Sequence, residues 1–122
     1  MKINSLVTVH AKAGLPGGIV IRQYGFIVKA KSHDYHHHKT VMDTADFFTE
    51  IIGVSNDDDA VLAARGMIER GMQVIELCGG FGSESAEYII SQLDTDIPVG
   101  YVTFNEGETQ KLARIVSEDS GA

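Results

Sequence analysis

The sequence predicts an α/β fold: a small, mainly parallel sheet flanked by helices in Rossmann-like or flavodoxin-like layers, with an N-terminal β-hairpin. Short runs rich in Val and Ile alternate with segments whose apolar residues recur at helical spacing, which is typical of this class. A chain of 122 residues has room for one domain with a modest core. Its hydrophobic share of 43% and charged share of 22% are those of a globular protein. We therefore expect one domain over residues 1–122.

The hairpin is predicted from residues 5–10 and 18–23, two runs rich in Val and Ile. The segment Leu15-Pro16-Gly17-Gly18 between them suits a type II turn, because proline fixes φ at the second position and glycine accepts a positive φ at the third. Residues 1–23 are thus expected to form an extension of the domain. A strand over residues 24–30 should follow, continuous with the second hairpin strand and bent at Gly25.

From Thr40 the apolar period changes to that of a helix, and Gly53 suits the C-terminal stop. This pattern predicts a helix over residues 40–52, with a strand at residues 52–54 as the alternative. Residues 55–59 then supply a cap and first-turn carboxylates for a second helix that ends at Gly71.

The second half of the chain predicts two more strands and two more helices. Residues 74–78 and 97–104 indicate strands, and the apolar stripe from Ala86 to Leu93 indicates the helix between them. Asn105 and Glu108 resemble a capping box that opens a C-terminal helix over residues 105–122. In such a sheet the strand ends near residues 30, 78 and 104 should share one edge, outside which ligands usually bind.

A glycine-rich turn lies at this edge, directly after a strand. Gly79, Gly80 and Gly82 let the backbone turn sharply, and Phe81 and Ser83 lead into a helix whose first N–H groups are unpaired. This predicts a ligand-binding loop formed by Gly79, Gly80, Phe81, Gly82 and Ser83. The alternative is a tight turn that packs Phe81 against the sheet. The segment is neither a P-loop nor a dinucleotide-binding fingerprint.

Two chemically active side chains precede the turn. Glu76 lies within an apolar strand, where a buried carboxylate with a raised pKa would suit general acid–base catalysis. Cys78 shares its face, and a thiol before a helix N-terminus can act as a nucleophile. Both are candidate catalytic residues. The alternatives are a structural hydrogen bond or ion pair for Glu76 and a small buried apolar role for Cys78.

The run Ile-Glu-Leu-Cys-Gly-Gly-Phe-Gly at residues 75–82, together with residues 24–30 and 97–102, resembles a small bacterial α/β domain family of unknown function. The resemblance covers residues 24–104. It implies an α/β fold and carries no established activity, and residues 1–23 lie outside it.

A histidine cluster occupies residues 33–38, between a predicted strand and the predicted first helix. His36 and His38 are candidate metal ligands, because imidazole binds zinc, nickel or copper and the two would share a face on a strand. The alternative is a solvated loop. Because this loop lies at the same sheet edge as Cys78, we also expect His38 to face the glycine turn as part of the ligand site.

Charge and composition limit the classes of binding partner that the sequence predicts. Seventeen acidic residues against ten basic ones give a net charge of −7, which makes a nucleic-acid partner unexpected. No apolar run approaches the length needed to cross a membrane, and a single cysteine fits the cytoplasm. The sequence thus predicts a small polar metabolite at residues 76–83. A non-catalytic homo-oligomeric assembly domain is the alternative. Neither a reaction nor a cofactor is specified.

Overall fold

The computed structural model describes residues 20–121, and their side chains over residues 20–117. The predicted hairpin strand at residues 5–10 and its turn lie outside the described residues. The strands are β1 (Gln23–Lys29), β2 (Lys39–Asp43), β3 (Phe48–Val54), β4 (Val74–Leu77) and β5 (Val99–Tyr101). The helices are α1 (Asp57–Glu69), α2 (Gly82–Leu93) and α3 (Glu106–Gly121), and a 3-10 turn at Gly79–Phe81 precedes α2.

The five strands form one mixed sheet in the order β2-β3-β1-β4-β5. All neighbouring strands run parallel except β2 and β3, which pair antiparallel. The α/β class and the mainly parallel sheet are therefore confirmed. The strand expected over residues 97–104 is shorter than predicted, since only residues 99–101 pair with β4.

The helix predicted over residues 40–52 is wrong, because this segment forms the hairpin β2–β3. The hydroxyl of Thr44 accepts the backbone N–H groups of Asp46 and Phe47, and this closes the turn between the strands. β3 then pairs along its whole length with β1. The apolar residues of this segment fit the period of a helix and also that of a strand. The pairing with β1 is what makes the segment a strand. The strand at residues 52–54 was the correct alternative, although the true strand is longer.

The core lies between the sheet and α1 with α2, which pack against each other on one side of the sheet. Ile27, Ile75 and Leu77 point to this side and are fully buried, together with Met67 of α1 and Ile89 of α2. α1 begins as predicted, since the side chain of its capping asparagine accepts the N–H of the third helical residue at 2.8 Å.

The opposite side of the sheet, here termed the open face, carries the alternate side chains of the same strands. Tyr24, Phe26, Val28, Ile51 and Val74 are half-buried there. Within residues 20–121, neither α1 nor α2 lies on this face, and α3 packs extensively against no other element. The described part thus has one layer of helices on one side of the sheet. The α/β class is confirmed, whereas the expected Rossmann-like arrangement, with helices on both sides, stays a prediction.

Candidate ligand site in the histidine loop

The predicted glycine loop is a tight turn around a buried ring. Phe81 is 5% exposed and belongs to the core, and the ammonium group of Lys29 lies 5.1 Å from the centre of its ring. Gly82 has φ of +76°, a conformation that favours glycine, and it opens α2. Gly79, Gly80 and Ser83 are exposed. This geometry matches the alternative in which the turn packs Phe81 against the sheet.

Glu76 and Cys78 each have a structural partner. Glu76 is half-buried on the open face and accepts the hydroxyl of Tyr24 at 2.7 Å. Burial, together with the hydrogen bond to Glu76 and its negative charge, raises the pKa of Tyr24. The Cys78 sulfur accepts the backbone N–H of Lys29 at 3.3 Å. Their catalytic roles remain predictions.

Three surface cavities are lined by described residues, and residues 76–83 line none of these three. Two of them lie on either side of the loop that joins β1 to β2, which contains the histidine cluster. One of these two cavities is lined by three histidines, and we take it as the candidate ligand site.

Asp34 organises this loop. Its carboxylate accepts the backbone N–H of His36 at 3.0 Å and lies 2.7 Å from Nδ1 of His37. Its backbone carbonyl accepts the N–H groups of His37 and His38. The hydrogen bond from His36 is the main cause, followed by that with His37, of the lowered pKa of Asp34. One carboxylate thus fixes the backbone and orients a histidine ring.

The rings of His33 and His38 lie tilted against each other at 44°, with centroids 5.6 Å apart. Nδ1 of His38 accepts the backbone N–H of Asp34 at 2.8 Å, so the proton of the neutral ring lies on Nε2. Nδ1 of His33 is buried without a hydrogen-bond partner among the described residues. At this position a buried N–H without an acceptor would cost more free energy than a buried nitrogen lone pair without a donor. Neutral His33 therefore also carries its proton on Nε2.

Gly53 makes this arrangement possible. A Cβ atom there would lie 2.6 Å from Nδ1 and 2.8 Å from Cγ of His33. The absence of a side chain lets the imidazole lie directly on β3. The backbone N–H of Gly53 also donates to the carbonyl of His38 at 2.8 Å, which ties the loop to the strand. Gly53 therefore seats His33, rather than ending a helix as the sequence suggested.

A cavity of about 350 Å³, here termed the histidine pocket, lies against these rings. Its polar wall consists of His33, His37, His38, Lys39 and Thr40, and its apolar wall of Val28, Ile51 and Gly53. No carboxylate is among these residues, although the chain as a whole is acidic. The volume falls in the range of small-molecule sites.

Each histidine of the pocket offers a defined group. The neutral rings of His33 and His38 both line the pocket and carry their N–H donor at Nε2. Because a carboxylate only accepts, His37 carries its proton on Nδ1 toward Asp34 and keeps an acceptor lone pair on Nε2. A carboxylate that orients an imidazole in this way is also the arrangement of a general base.

The proposed metal ligands His36 and His38 line different cavities. The ring of His36 lies tilted against that of Tyr35, with centroids 4.2 Å apart, and lines a cavity of about 160 Å³ beside α1, whereas His38 lines the histidine pocket. Among the described residues, no three His, Cys, Asp or Glu side chains are grouped as a metal site. The ring of His38 lies tilted against that of His33, and the predicted contact of His38 with the glycine turn stays a prediction.

Sequence reasoning missed Lys39, Thr40 and Gly53 as site residues, because it began a helix at Thr40, directly after Lys39, and read Gly53 as the end of that helix. The signal was present in the β-branched and aromatic residues of β3 and in a glycine between them, which marks a close approach in a strand. His33 was recognised only as a member of the cluster.

The fold and the pocket define a small α/β domain with a histidine-lined cavity at the carboxyl end of its central strands. The chain belongs to a family of unknown function (DUF6506), whose model matches residues 22–117. This confirms the predicted membership of a family of unknown function and extends it through most of α3. The bacterial origin and the motif of that resemblance stay predictions.

No curated protein and no solved structure matches the chain. In the part that the structure describes, no helix is long and apolar enough to span a membrane. An activity must therefore be argued from the site itself.

Proposed function

We propose that this domain binds a small organic anion in the histidine pocket. The observation that carries this proposal is the convergence of three imidazoles on a cavity whose lining contains no carboxylate, with Lys39 at the border between this cavity and the one beside α1. The chain as a whole carries a net charge of −7, and this pocket is a place where a negatively charged ligand meets no carboxylate in the lining.

The donors suit a carboxylate. Nε2–H groups of His33 and His38 can each donate to one oxygen, and Lys39, which lines both this cavity and the one beside α1, adds a formal positive charge at the border. Both rings are held in place before a ligand arrives, His38 by Asp34 and His33 by its seat on Gly53. Pre-positioned donors lose little conformational entropy when they bind.

The apolar wall suits the remainder of the ligand. Val28 and Ile51 point from the open face into the pocket. An anion with a flat apolar part, such as an aromatic carboxylate, would place its charge at the histidines and its ring on these two side chains. This proposal keeps the predicted class of ligand, a small polar metabolite, and places it beside His38 instead of at residues 76–83.

The test uses benzoate as the probe, with acetate and benzamide beside it, and isothermal titration calorimetry as the measurement. We expect benzoate to bind in the millimolar range, acetate more weakly because it lacks the ring, and benzamide more weakly because it lacks the charge. His38→Ala and Lys39→Met should each raise the Kd of benzoate about tenfold, which corresponds to about 1.4 kcal/mol.

His36→Ala is the matched control, since it removes an exposed imidazole of the same loop that lines the other cavity. It should leave the Kd unchanged. Equal binding of benzoate and benzamide, or equal weakening by His36→Ala and His38→Ala, would contradict the proposal.

A further inference from the structure

The outer edge of β2 is uncovered within the described part of the chain. β2 is the last strand on its side of the sheet, and all five of its residues are exposed. α1 lies over β1 and β3, and neither α1 nor α2 packs extensively against β2. Such an edge offers N–H and C=O groups to a strand of another chain.

The hairpin β2–β3 determines which backbone groups point to this edge. At one end of the hairpin the N–H of Gly53 donates to the carbonyl of His38, and at the other end the N–H of Thr44 donates to the carbonyl of Phe47. Bonded and non-bonded pairs alternate in an antiparallel ladder, so the even-numbered residues of β2 bond to β3. The odd-numbered residues therefore direct their N–H and C=O groups outward.

The outward residues are Lys39, Val41 and Asp43. Within residues 20–117 their N–H groups have no hydrogen-bond partner, and Lys39 and Asp43 form no ion pair. Their side chains share one face of the strand, because alternate residues point to the same side. The edge thus presents a positive charge and a negative charge at equal distances from Val41.

We propose that β2 pairs antiparallel with β2 of a second copy of this chain, with Val41 at the two-fold axis. This register places Val41 opposite Val41, and Lys39 opposite Asp43 of the second copy. Every outward residue then lies in a hydrogen-bonded pair, whose two members exchange both of their backbone hydrogen bonds. In the lysine–aspartate pairs the side chains lie directly opposite on one face, where unlike charges stabilise a sheet.

No neighbouring register offers as much. A shift by two residues leaves one outward residue of each copy without a counterpart in β2, and it places Val41 opposite a charged residue. A shift by one residue sets outward groups against groups that already bond to β3. The facing edges are also neutral together, although each chain carries a net charge of −7, so the repulsion between two copies is small at this place.

The second copy lies beside the sheet rather than on it, so the open face and the histidine pocket stay accessible. Thr40 of the pocket then lies opposite Met42 of the second copy, which adds an apolar side chain beside this pocket. A contact of one short strand from each copy is smaller than a stable interface, so we expect a weak, reversible dimer. Its formation does not depend on a ligand.

Sedimentation equilibrium of the full-length chain, without ligand, tests the pairing. The mass of the wild type should rise from 13.2 kDa toward twice that value as the concentration increases to about 1 mM. Lys39→Asp and Asp43→Lys each place like charges opposite one another, and each should raise the Kd of the dimer at least about tenfold. An equimolar mixture of the two variants should pair about as tightly as the wild type, because one variant presents two acids and the other two lysines.

Asp96→Lys is the matched control. It makes the same change in charge as Asp43→Lys at an exposed residue that precedes β5, at the opposite edge of the sheet. It should not weaken the dimer. General repulsion between acidic chains predicts that both variants strengthen the dimer, so weakening by Asp43→Lys alone is specific to the β2 edge.

A disulfide tests the register. In a Cys78→Ser background, Val41→Cys should cross-link two copies on oxidation, because the Cα atoms of a hydrogen-bonded pair lie about 5.5 Å apart. Met42→Cys should not cross-link, since the Cα atoms of Met42 in the two copies lie about 8 Å apart, beyond the reach of a disulfide. Met42 is the more exposed of the two residues, at 58% against 49%, so access to the oxidant does not explain this difference.

Three results would overturn the proposal. The first is a wild type that stays monomeric up to about 1 mM, in which case the strand predicted at residues 5–10 becomes the candidate to cover β2. The second is a mixture of Lys39→Asp and Asp43→Lys that associates no better than either variant alone. The third is cross-linking through Met42→Cys in preference to Val41→Cys.

Discussion

Replacement of Gly53 by alanine perturbs the histidine pocket at the point where its ring is seated. The new methyl group would lie 2.6–3.2 Å from three atoms of the His33 ring, so either the ring or the strand must move. Overpacking of this kind costs about 1–3 kcal/mol, while the alanine restricts the unfolded chain and returns about 0.4–1 kcal/mol. We expect Gly53→Ala to lower the free energy of unfolding by about 1–2 kcal/mol.

Gly100→Ala is the control for this substitution. Gly100 also lies in a strand and also faces the open side, but a Cβ atom there would have nothing within 4 Å. This variant should gain about 0.4–1 kcal/mol, since only the unfolded-state term remains. The two variants therefore differ by about 2 kcal/mol in opposite directions from the wild type.

Urea denaturation followed by circular dichroism measures both stabilities, and calorimetry with benzoate measures the pocket. Displacement of His33 should also weaken benzoate binding in Gly53→Ala, but not in Gly100→Ala. If Gly53→Ala were as stable as Gly100→Ala and bound benzoate like the wild type, the seating of His33 on Gly53 would be refuted.

The remaining predictions concern the framework around the site. Tyr24→Phe removes the hydrogen bond to Glu76. Because the pKa of Tyr24 is raised in the folded state, the wild type should lose stability above about pH 10 more steeply than this variant. Urea denaturation at a series of pH values measures this difference. Burial opposes the ionisation of Asp57, but the hydrogen bonds from Lys29 and a nearby serine outweigh it and lower its pKa. The stability gained from this pair is therefore present at neutral pH and lost as the pH falls through the lowered pKa, and Asp57→Asn should flatten that acid limb. Asn56→Ala removes the cap of α1 and should cost about 1 kcal/mol in thermal unfolding, whereas an unchanged transition would contradict the cap.

The sequence predicted those elements whose local pattern and tertiary role agree. α1 combines a capping asparagine, three acidic residues in its first turn and one apolar stripe, and it forms as predicted. β1 and β4 are short apolar runs in the interior of the sheet, and both were found within one or two residues.

The hairpin β2–β3 could not be predicted from spacing alone. Phe48, Ile51 and Ile52 fit a helical period, and their partners in the strand are set by β1, which lies far away in the sequence. This error also affected the prediction of the site. With a helix over residues 40–52, Gly53 is expected to end the helix, and its contact with the ring of His33 cannot be predicted. The histidine cluster itself was visible in the sequence, but its division between two cavities depends on the turn that Asp34 forms.

The most direct test of the histidine pocket is nitrogen-15 NMR of the imidazole rings during a titration with benzoate. Before benzoate is added, the neutral rings of His33 and His38 should show protonated Nε2, and His37 protonated Nδ1. On titration, the Nε2 signals of His33 and His38 should move together and saturate, while those of His36 stay in place. Signals of His33 and His38 that do not respond, or that respond no more than those of His36, would contradict the account.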